Sequence, residues 1–408
     1  MKKFAILALA VALAVPASAA GVTISGYVDV GFIAAESDFG GEGLQASGAT
    51  NGTWNGNDGF TLNEVNLDIA SQLTNDISSF VSIDFNSRTD ITARPSTGVD
   101  YAYLDIANPG PFDLNIRAGR IPSVFGIEQR ASESNQTNFI NMSLLSPLTV
   151  GSLDGIAVYG SFSPVNYALA ISNNDVASGR TANVAGDAGS ILGEYSTALL
   201  GNPLRNGAPG NNNGSALASG LDNNNDVSIS GRLGVVPVEG LEVGVSYSLN
   251  DFASGGTANA GATRKLIAVD ASYAYGPFGL KAEWVRGDEE PTVAAGVSAT
   301  GQENVDLRGF YVEGTYDISS KYSAGVRYNA VQTSQNGIGG PTAAIANDFR
   351  TIAISGIYRM ADNVVLKAEY DINSEGEIQG GTVNRVAGGS AVKDIDNDVF
   401  AMSLVGSF

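Results

Sequence analysis

Apolar and polar residues alternate with a period of two from Val22 to the C-terminus, and this feature constrains the fold more than any other. In the first segment, one set of alternate positions holds Val22, Ile24, Val28, Val30 and Phe32, and the other holds Thr23, Ser25, Tyr27 and Asp29. Because successive side chains of a β-strand point to opposite faces, each such segment is predicted to have one apolar and one polar face. One segment alone would also suit a soluble β-sandwich, so the prediction depends on the whole series.

We predict strands near residues 22–34, 60–73, 77–90, 98–107, 112–121, 154–162, 165–174, 225–235, 240–251, 264–275, 278–287, 305–316, 322–333, 349–359, 363–373 and 396–408. Their connections alternate in length, so that tight ones such as 74–76 and 163–164 alternate with long polar ones such as 35–59 and 175–224. Short periplasmic turns alternating with long extracellular loops are typical of bacterial outer-membrane proteins. The sequence therefore predicts an all-β fold, a transmembrane antiparallel β-barrel of about 16 strands with both termini in the periplasm.

Residues 1–20 have the organisation of a secretory signal peptide. Lys2 and Lys3 precede an apolar run over residues 4–15, and the small residues 17–19 offer a cleavage site. A retained anchor helix is the alternative, but the run is shorter than the roughly 18 apolar residues that a membrane span needs. We expect Sec-type export, signal cleavage and a barrel over residues 21–408 in the bacterial outer membrane.

The chain contains neither His nor Cys, which removes most kinds of enzyme site. A Ser-His-Asp triad, a His-based zinc site and thiol catalysis all require residues that are absent. The acidic pair Glu289-Glu290 lies in a predicted external loop, where no preformed pocket is expected around it. We therefore expect no enzyme activity and no cofactor.

The formal net charge of −20 argues against nucleic acid as a partner, because phosphate binding needs clustered cations. An acidic balance suits a surface or pore that attracts cations, although loop solubility would explain it as well. Two acidic strings, one over residues 222–226 and the other formed by Asp394, Asp396 and Asp398, offer oxygen ligands of the kind that Ca²⁺ prefers. A solvated strand rim is the alternative for both, and a cation bound at either would bridge to lipopolysaccharide phosphates.

The last strand ends on the aromatic residue Phe408, and in this it resembles Gram-negative porins, whose terminal aromatic is read by the barrel-assembly machinery. A more specific stretch runs from Asn115 to Asn173 and includes NIRAGRIPSVFGIEQ, TNFINMSLLSP and VNYALAISNND. This stretch is similar to the phosphate-selective porin family, in which such a segment begins an inward loop. The resemblance implies a sixteen-stranded, usually homotrimeric diffusion pore. The chain departs from the family's rows of basic residues, since its strands hold only Lys265, Lys281 and Lys367 as lysines.

Strand parity turns charged residues toward the lumen of the predicted barrel. The acids are Asp29, Glu64, Asp68, Asp84, Asp105, Asp270, Glu283, Glu313, Glu369 and Asp371, and the bases are Arg88, Arg117, Arg232, Arg327, Lys281 and Lys367. Acids outnumber bases, which favours cation passage. The alternative is that many of these charges are paired and solvated wall residues.

The loop over about residues 122–153 is the candidate constriction. It carries Glu128, Arg130 and Glu133 together with an apolar piece, residues 139–145, which an external loop should not need unless it packs on something. We expect packing against the inner wall, with Glu128 and Glu133 facing Arg88 and Arg117, and we expect that shortening the loop would leave barrel stability almost unchanged. Shielding at a trimer centre and an external lid are the alternatives.

The residues expected to set the constriction are therefore Asp84, Arg88, Asp105, Arg117, Glu128, Arg130, Glu133 and Arg327. The expected function is passive diffusion of small hydrophilic solutes and ions, with a mild preference for cations. Outer-membrane lipid and lipopolysaccharide would surround the protein. A structural or adhesive barrel that merely displays its polar loops is the alternative.

Overall fold

The computed structural model describes residues 21–35, 59–86, 96–108, 114–173, 227–252, 262–289, 305–336, 344–375 and 398–408. Sixteen β-strands account for most of these residues. They are β1 (Val22–Ala35), β2 (Gly59–Gln72), β3 (Ile77–Asn86), β4 (Ser96–Ile106), β5 (Asn115–Pro122), β6 (Ser152–Phe162), β7 (Val165–Ser172), β8 (Ser228–Val238), β9 (Leu241–Phe252), β10 (Ala262–Tyr275), β11 (Phe278–Glu289), β12 (Val305–Asp317), β13 (Tyr322–Asn336), β14 (Ala344–Ala361), β15 (Val364–Glu375) and β16 (Val399–Ser407). The predicted signal peptide, residues 1–20, lies outside the described residues.

The sixteen strands form one closed antiparallel barrel in which each strand pairs with its sequence neighbours. The ring closes where β1 pairs with β16, with Tyr27 opposite Ser407 and Ala35 opposite Val399. Closure leaves no sheet edge with unpaired backbone groups, as a lipid environment requires. The predicted fold class and strand count are thus confirmed.

Tight turns join the strands at one end of the barrel. Two-residue links occupy positions 163–164, 239–240, 276–277 and 362–363. Gly240 and Gly276 have φ of 82° and 56°, a backbone conformation that glycine adopts without steric cost. At the other end some strands run further than the alternation indicated: β14 begins at Ala344 rather than near residue 349. Backbone hydrogen bonding between β13 and β14 continues there beyond the apolar band. The alternation of apolar and polar side chains therefore did not predict where β14 begins.

The two faces of the barrel differ in the way that alternation predicts. On β1, Val28 and Val30 are exposed outward, whereas Tyr27 and Asp29 are buried on the lumen side. Outward aromatic pairs lie beside the tight turns, including Phe278–Tyr316 and Tyr322–Tyr358, with ring centroids 4.7 and 4.9 Å apart. Such rings suit a membrane interface, and the apolar positions between them suit lipid.

The connection between β5 and β6 differs from the strands around it. It contains a 3₁₀ helix, Glu128–Ala131, and one turn of α-helix, α1 (Ser146–Thr149), and we call residues 123–151 the inward segment. In the described part of the chain, no helix has the length and apolar character needed to cross a membrane.

Candidate functional site

The inward segment is hydrogen-bonded to lumen-facing side chains of several strands. Near its start, the Gly126 amide donates to Ser246 Oγ on β9 at 3.0 Å, and the Ile127 amide donates to Glu283 Oε1 on β11 at 3.3 Å. Ser246 and Glu283 are each 1% exposed. These contacts join the segment to wall positions more than a hundred residues away, so this part of the segment lies inside the barrel.

The middle of the segment is held further round the barrel wall by Arg327 of β13. Its guanidinium donates to the carbonyl oxygens of Asn141 and Met142 at 2.7 and 3.1 Å, and it lies 4.4 Å from the ring centroid of Phe139. Glu369 of β15 accepts a hydrogen bond from the Ile140 amide. The buried Arg327 guanidinium thus binds backbone carbonyl oxygens of this turn, and the buried Glu369 carboxylate binds one of its backbone amides.

A third set of contacts holds residues 133–137. Lys367 Nζ donates to the Ser134 carbonyl oxygen at 2.5 Å and to Thr137 Oγ1 at 3.0 Å. The Tyr27 hydroxyl donates to Glu133 at 2.5 Å. Because Tyr27 is on β1 and Lys367 on β15, the segment reaches the strands on both sides of β16.

Apolar packing accompanies these polar contacts. Leu144, Leu145 and Leu148 of the segment are at most 2% exposed and belong to one buried cluster with wall residues. The wall residues of this cluster include Leu266, Val285, Leu307, Tyr311, Val331 and Phe349. Burial of a Leu side chain contributes about 1.5–3 kcal/mol. The expectation that shortening the loop would leave stability almost unchanged is therefore revised, because the segment supplies part of this buried apolar cluster.

Glu128 is enclosed by the segment that carries it. Its carboxylate accepts hydrogen bonds from the Ser143 amide at 2.7 Å and from Ser143 Oγ at 2.6 Å, with Thr149 Oγ1 at 3.4 Å. Burial raises the pKa of Glu128, and the Ser143 hydrogen bonds and the charge of Arg327 oppose that shift only in part. Glu128 therefore connects the first part of the inward segment to Ser143 and Thr149 in its last part.

The guanidinium groups of Arg117, Arg130 and Arg232 line a cavity of about 560 Å³ beside the segment. Arg130 Nη1 lies 2.8 Å from Glu242, and Arg232 lies 2.8 Å from Glu242 and 2.5 Å from Asp270. On the same cavity wall, Arg117 Nη2 lies 2.6 Å from Asp105. Acids of nearby strands thus hold the three arginines in place beside the cavity.

The structure distributes the residues expected at the constriction among these contacts. Arg117 and Arg130 line the cavity, and Glu128, Glu133 and Arg327 hold the segment. Asp105 pairs with Arg117, Asp84 lies on β3 with the lumen parity, and Arg88 lies outside the described residues. The expectation that Glu128 and Glu133 face Arg117 is wrong, because Ser143 and Tyr27 hold these carboxylates and Asp105 holds the guanidinium.

Glu242 and Tyr27 were not among the expected site residues. Glu242 joins Arg130 to Arg232, and Tyr27 anchors Glu133. Parity would have placed both on the lumen face, but no sequence signal shows which wall residue a folded-in loop will meet.

Of the acidic string proposed as a cation site, only Asp398 falls within the described residues, and Asp394 and Asp396 lie outside them. The Asp398 carboxylate accepts hydrogen bonds from the Asn373 amide at 2.9 Å and from the Tyr370 hydroxyl at 3.1 Å. These contacts tie the start of β16 to β15, a structural role for this carboxylate.

Several solved outer-membrane proteins have a similar fold. The channel DcaP of Acinetobacter baumannii aligns with a TM-score of 0.60 and 14% identity, covering 96% of this chain and 99% of that one. OmpT of Vibrio cholerae in its trimer form gives 0.58 and 10%, with coverages of 96% and 100%. The anion-selective porin from Comamonas acidovorans gives 0.56 and 10%, with coverages of 95% and 100%. At such identities the likeness concerns the fold.

No curated protein sequence matches the chain significantly. The sequence profile of the family "phosphate-selective porin O and P" matches residues 42–340, well over half of the chain, and includes the stretch 115–173 that resembled this family. The barrel fold and the profile agree on an outer-membrane porin. The chain therefore belongs to the phosphate-selective porin O and P family.

Proposed function

We propose that the protein lets small hydrophilic solutes and ions diffuse passively across the outer membrane, through a lumen narrowed by the inward segment. The observation that carries the proposal is the fixed position of residues 126–142, which are hydrogen-bonded to β9, β11, β13 and β15. A barrel of this strand number leaves an aqueous channel unless something fills it. A braced segment would narrow that channel while the polar cavity beside Arg117, Arg130 and Arg232 stays open to water.

A modest cation preference is part of the proposal. The described lumen face carries more acids than bases, because Asp29, Glu64, Asp68, Glu283 and Asp371 add to the acids that pair with arginines. Fixed charge of one sign attracts mobile ions of the other. The family description names phosphate, and one structural neighbour is named anion-selective. Those names belong to other chains, and the arginines of this cavity are already paired with carboxylates.

We also propose a homotrimer, exported with loss of residues 1–20 and surrounded by lipopolysaccharide. One neighbour, OmpT of Vibrio cholerae, is described in a trimer form. On the outer face of this barrel, Arg120 and Asp154 form an ion pair at 2.7 Å in which both side chains are more than two thirds covered. A charged pair on this face would cost less at a subunit contact than in lipid.

Planar-bilayer recording in a KCl gradient tests the proposed function. We expect discrete conductance steps and a reversal potential whose sign indicates cation preference. This potential becomes smaller at high salt, because the fixed charges are screened. A reversal potential of the opposite sign would overturn the cation preference alone. Silent membranes with correctly folded protein would overturn the channel and favour a barrel that only displays its loops.

A further inference from the structure

The outward side chains of β11 and β12 form rows that the strand register defines. From the periplasmic end, the rows are Phe278–Tyr316, Leu280–Gly314, Ala282–Val312, Trp284–Phe310, Arg286–Arg308 and Asp288–Asp306. Two aromatic rows thus enclose an apolar band, as expected for a lipid-facing surface with its interfaces. The row of two arginines lies directly beyond the upper aromatic row.

The two arginines of this row are exposed and directly opposite each other. Like charges at opposite positions of neighbouring strands destabilise a sheet. Arg308 is drawn toward β13, where its Nε donates to Gln332 Oε1 at 2.7 Å. The guanidinium of Arg286 has no hydrogen-bond or ion-pair partner in the part of the chain that the structure describes.

Charges on nearby strands do not neutralise this row. Arg350 on β14 is paired with Asp348 at 2.7 Å, and Lys265 on β10 is opposite Asp288 in the register. Asp288 and Asp306 lie one row further from the apolar band. On the described part of β11 and β12 the outer face is therefore positive next to the band and negative one row beyond it, which favours an anionic partner at the depth of Arg286 and Arg308.

The depth and chemistry of the row indicate the partner. Immediately beyond an interfacial aromatic row lie the lipid headgroups, and basic residues at that depth attract their phosphates. A guanidinium presents a planar set of donors that matches phosphate oxygens. We propose that Arg286 and Arg308 together bind a phosphate of a lipopolysaccharide headgroup, which lies against the outer face of β11 and β12.

The test measures binding of bisphosphorylated lipid A, from mixed micelles, to the purified folded barrel. The double variant Arg286→Gln/Arg308→Gln is compared with Lys321→Gln/Arg359→Gln, which removes the same charge at the periplasmic end. Since a basic residue near a membrane surface contributes about 1 kcal/mol, we expect the first variant to bind roughly 10- to 30-fold more weakly. The control variant should bind like the wild type, and dephosphorylated lipid A should bind all three proteins equally weakly.

Two results would overturn the proposal. One is equal affinity of the wild type and the Arg286→Gln/Arg308→Gln variant for lipid A. The other is a change in subunit number with no change in lipid binding, which would mean that the row faces a second copy of the chain. Heat-modifiable gel mobility reports folding, and if the double variant does not fold, Arg286→Gln alone should weaken binding about fivefold. Both arginines point away from the lumen, so failure of this proposal leaves the proposed channel function untouched.

Discussion

Arg327 shows how one lumen side chain positions a loop and balances charge at the same time. It is 4% exposed, yet its guanidinium donates to two carbonyl oxygens of the inward segment and lies within 4 Å of both Glu313 and Glu369. A buried charge is tolerated only when such partners replace water. Strand parity is enough to place Arg327 on the lumen side. Its carbonyl partners depend on the path of residues 139–142, and no local sequence pattern predicts that path.

Arg130 is the most exposed of the cavity arginines, so its charge should be felt most by passing ions. We expect Arg130→Gln to increase cation preference, because a positive charge leaves the lumen while Glu242 remains. Stability should change by less than about 1 kcal/mol, as is usual for an exposed ion pair. Reversal potentials in a KCl gradient measure the effect, with Lys321→Gln in an exposed turn as the matched control. An unchanged reversal potential would mean that Arg130 does not face the ion path.

The raised pKa of Glu128 predicts a pH dependence of stability. The unfolded chain ionises this carboxyl near pH 4.5, whereas the folded protein retains the proton to higher pH. The folded state therefore binds more protons in this interval, and its stability falls as pH rises through it. We expect Glu128→Gln to remove that decline, so that the urea unfolding midpoint of the variant gains on that of the wild type as the pH rises above 4.5. A difference that is constant with pH would contradict the prediction; Glu239→Gln, in the exposed turn after β8, is the control.

At the scale of elements, alternation and turn chemistry predicted all sixteen strands, because the two faces of each strand meet different solvents. Strand ends were less well predicted: β5 begins at Asn115 rather than near residue 112, and β13 continues to Asn336. Beyond the apolar band both faces of a strand meet water, so side-chain polarity no longer shows how far the strand extends. The apolar piece at 139–145 indicated that the loop packs on something, but its partners, such as Leu307 and Phe349, come from distant strands and have no local signature.

Shortening the inward segment tests its role as an element. Replacement of residues 132–142 by a short Gly-Ser linker keeps Leu144, Leu145 and Leu148 in the apolar cluster. We expect larger conductance and passage of larger sugars, because less of the lumen is filled. We also expect a lower unfolding midpoint, since Arg327 and Lys367 lose their carbonyl partners and remain buried.

A matched variant separates these two effects. The same shortened chain with Arg327→Met, Lys367→Met and Glu369→Gln should recover part of the lost stability and keep the larger conductance. If conductance and solute cutoff were unchanged in both shortened proteins, the segment would not limit the pore.

At the scale of the whole molecule, the ring closes through backbone bonds between its ends. The Phe408 amide donates to the Gly26 carbonyl at 3.0 Å, and the Gly26 amide donates to the Phe408 carbonyl at 3.2 Å. The Phe408 side chain itself is 64% exposed. A side chain at position 26 would overlap the Asn66 carbonyl oxygen and lie 2.9 Å from Phe408 Cζ. The contact between β1 and β16 is thus sterically tight at Gly26, whereas the Phe408 side chain is largely exposed.

This contrast predicts different effects for two changes at this contact. Deletion of Phe408 should slow assembly and lower the stability of the finished barrel by only about 1–2 kcal/mol, the contribution of two backbone hydrogen bonds. Gly26→Ala should weaken the finished barrel, because β1 must shift away from β2. Folding rates into lipid vesicles and urea midpoints measure the two effects, and Gly406→Ala, where a methyl group meets open space, is the control. Normal assembly without Phe408 would contradict the first expectation.

The pairing of the first strand with the last also has a consequence for the life of the chain before it is folded. While β16 is still missing, β1 and the newest strand both expose unpaired backbone groups, and such edges add strands from other chains. Contacts of very high sequence separation also form slowly. A chain exported as proposed above would therefore expose these strand edges before the ring closes, and we expect it to aggregate unless another molecule covers them until β16 pairs with β1.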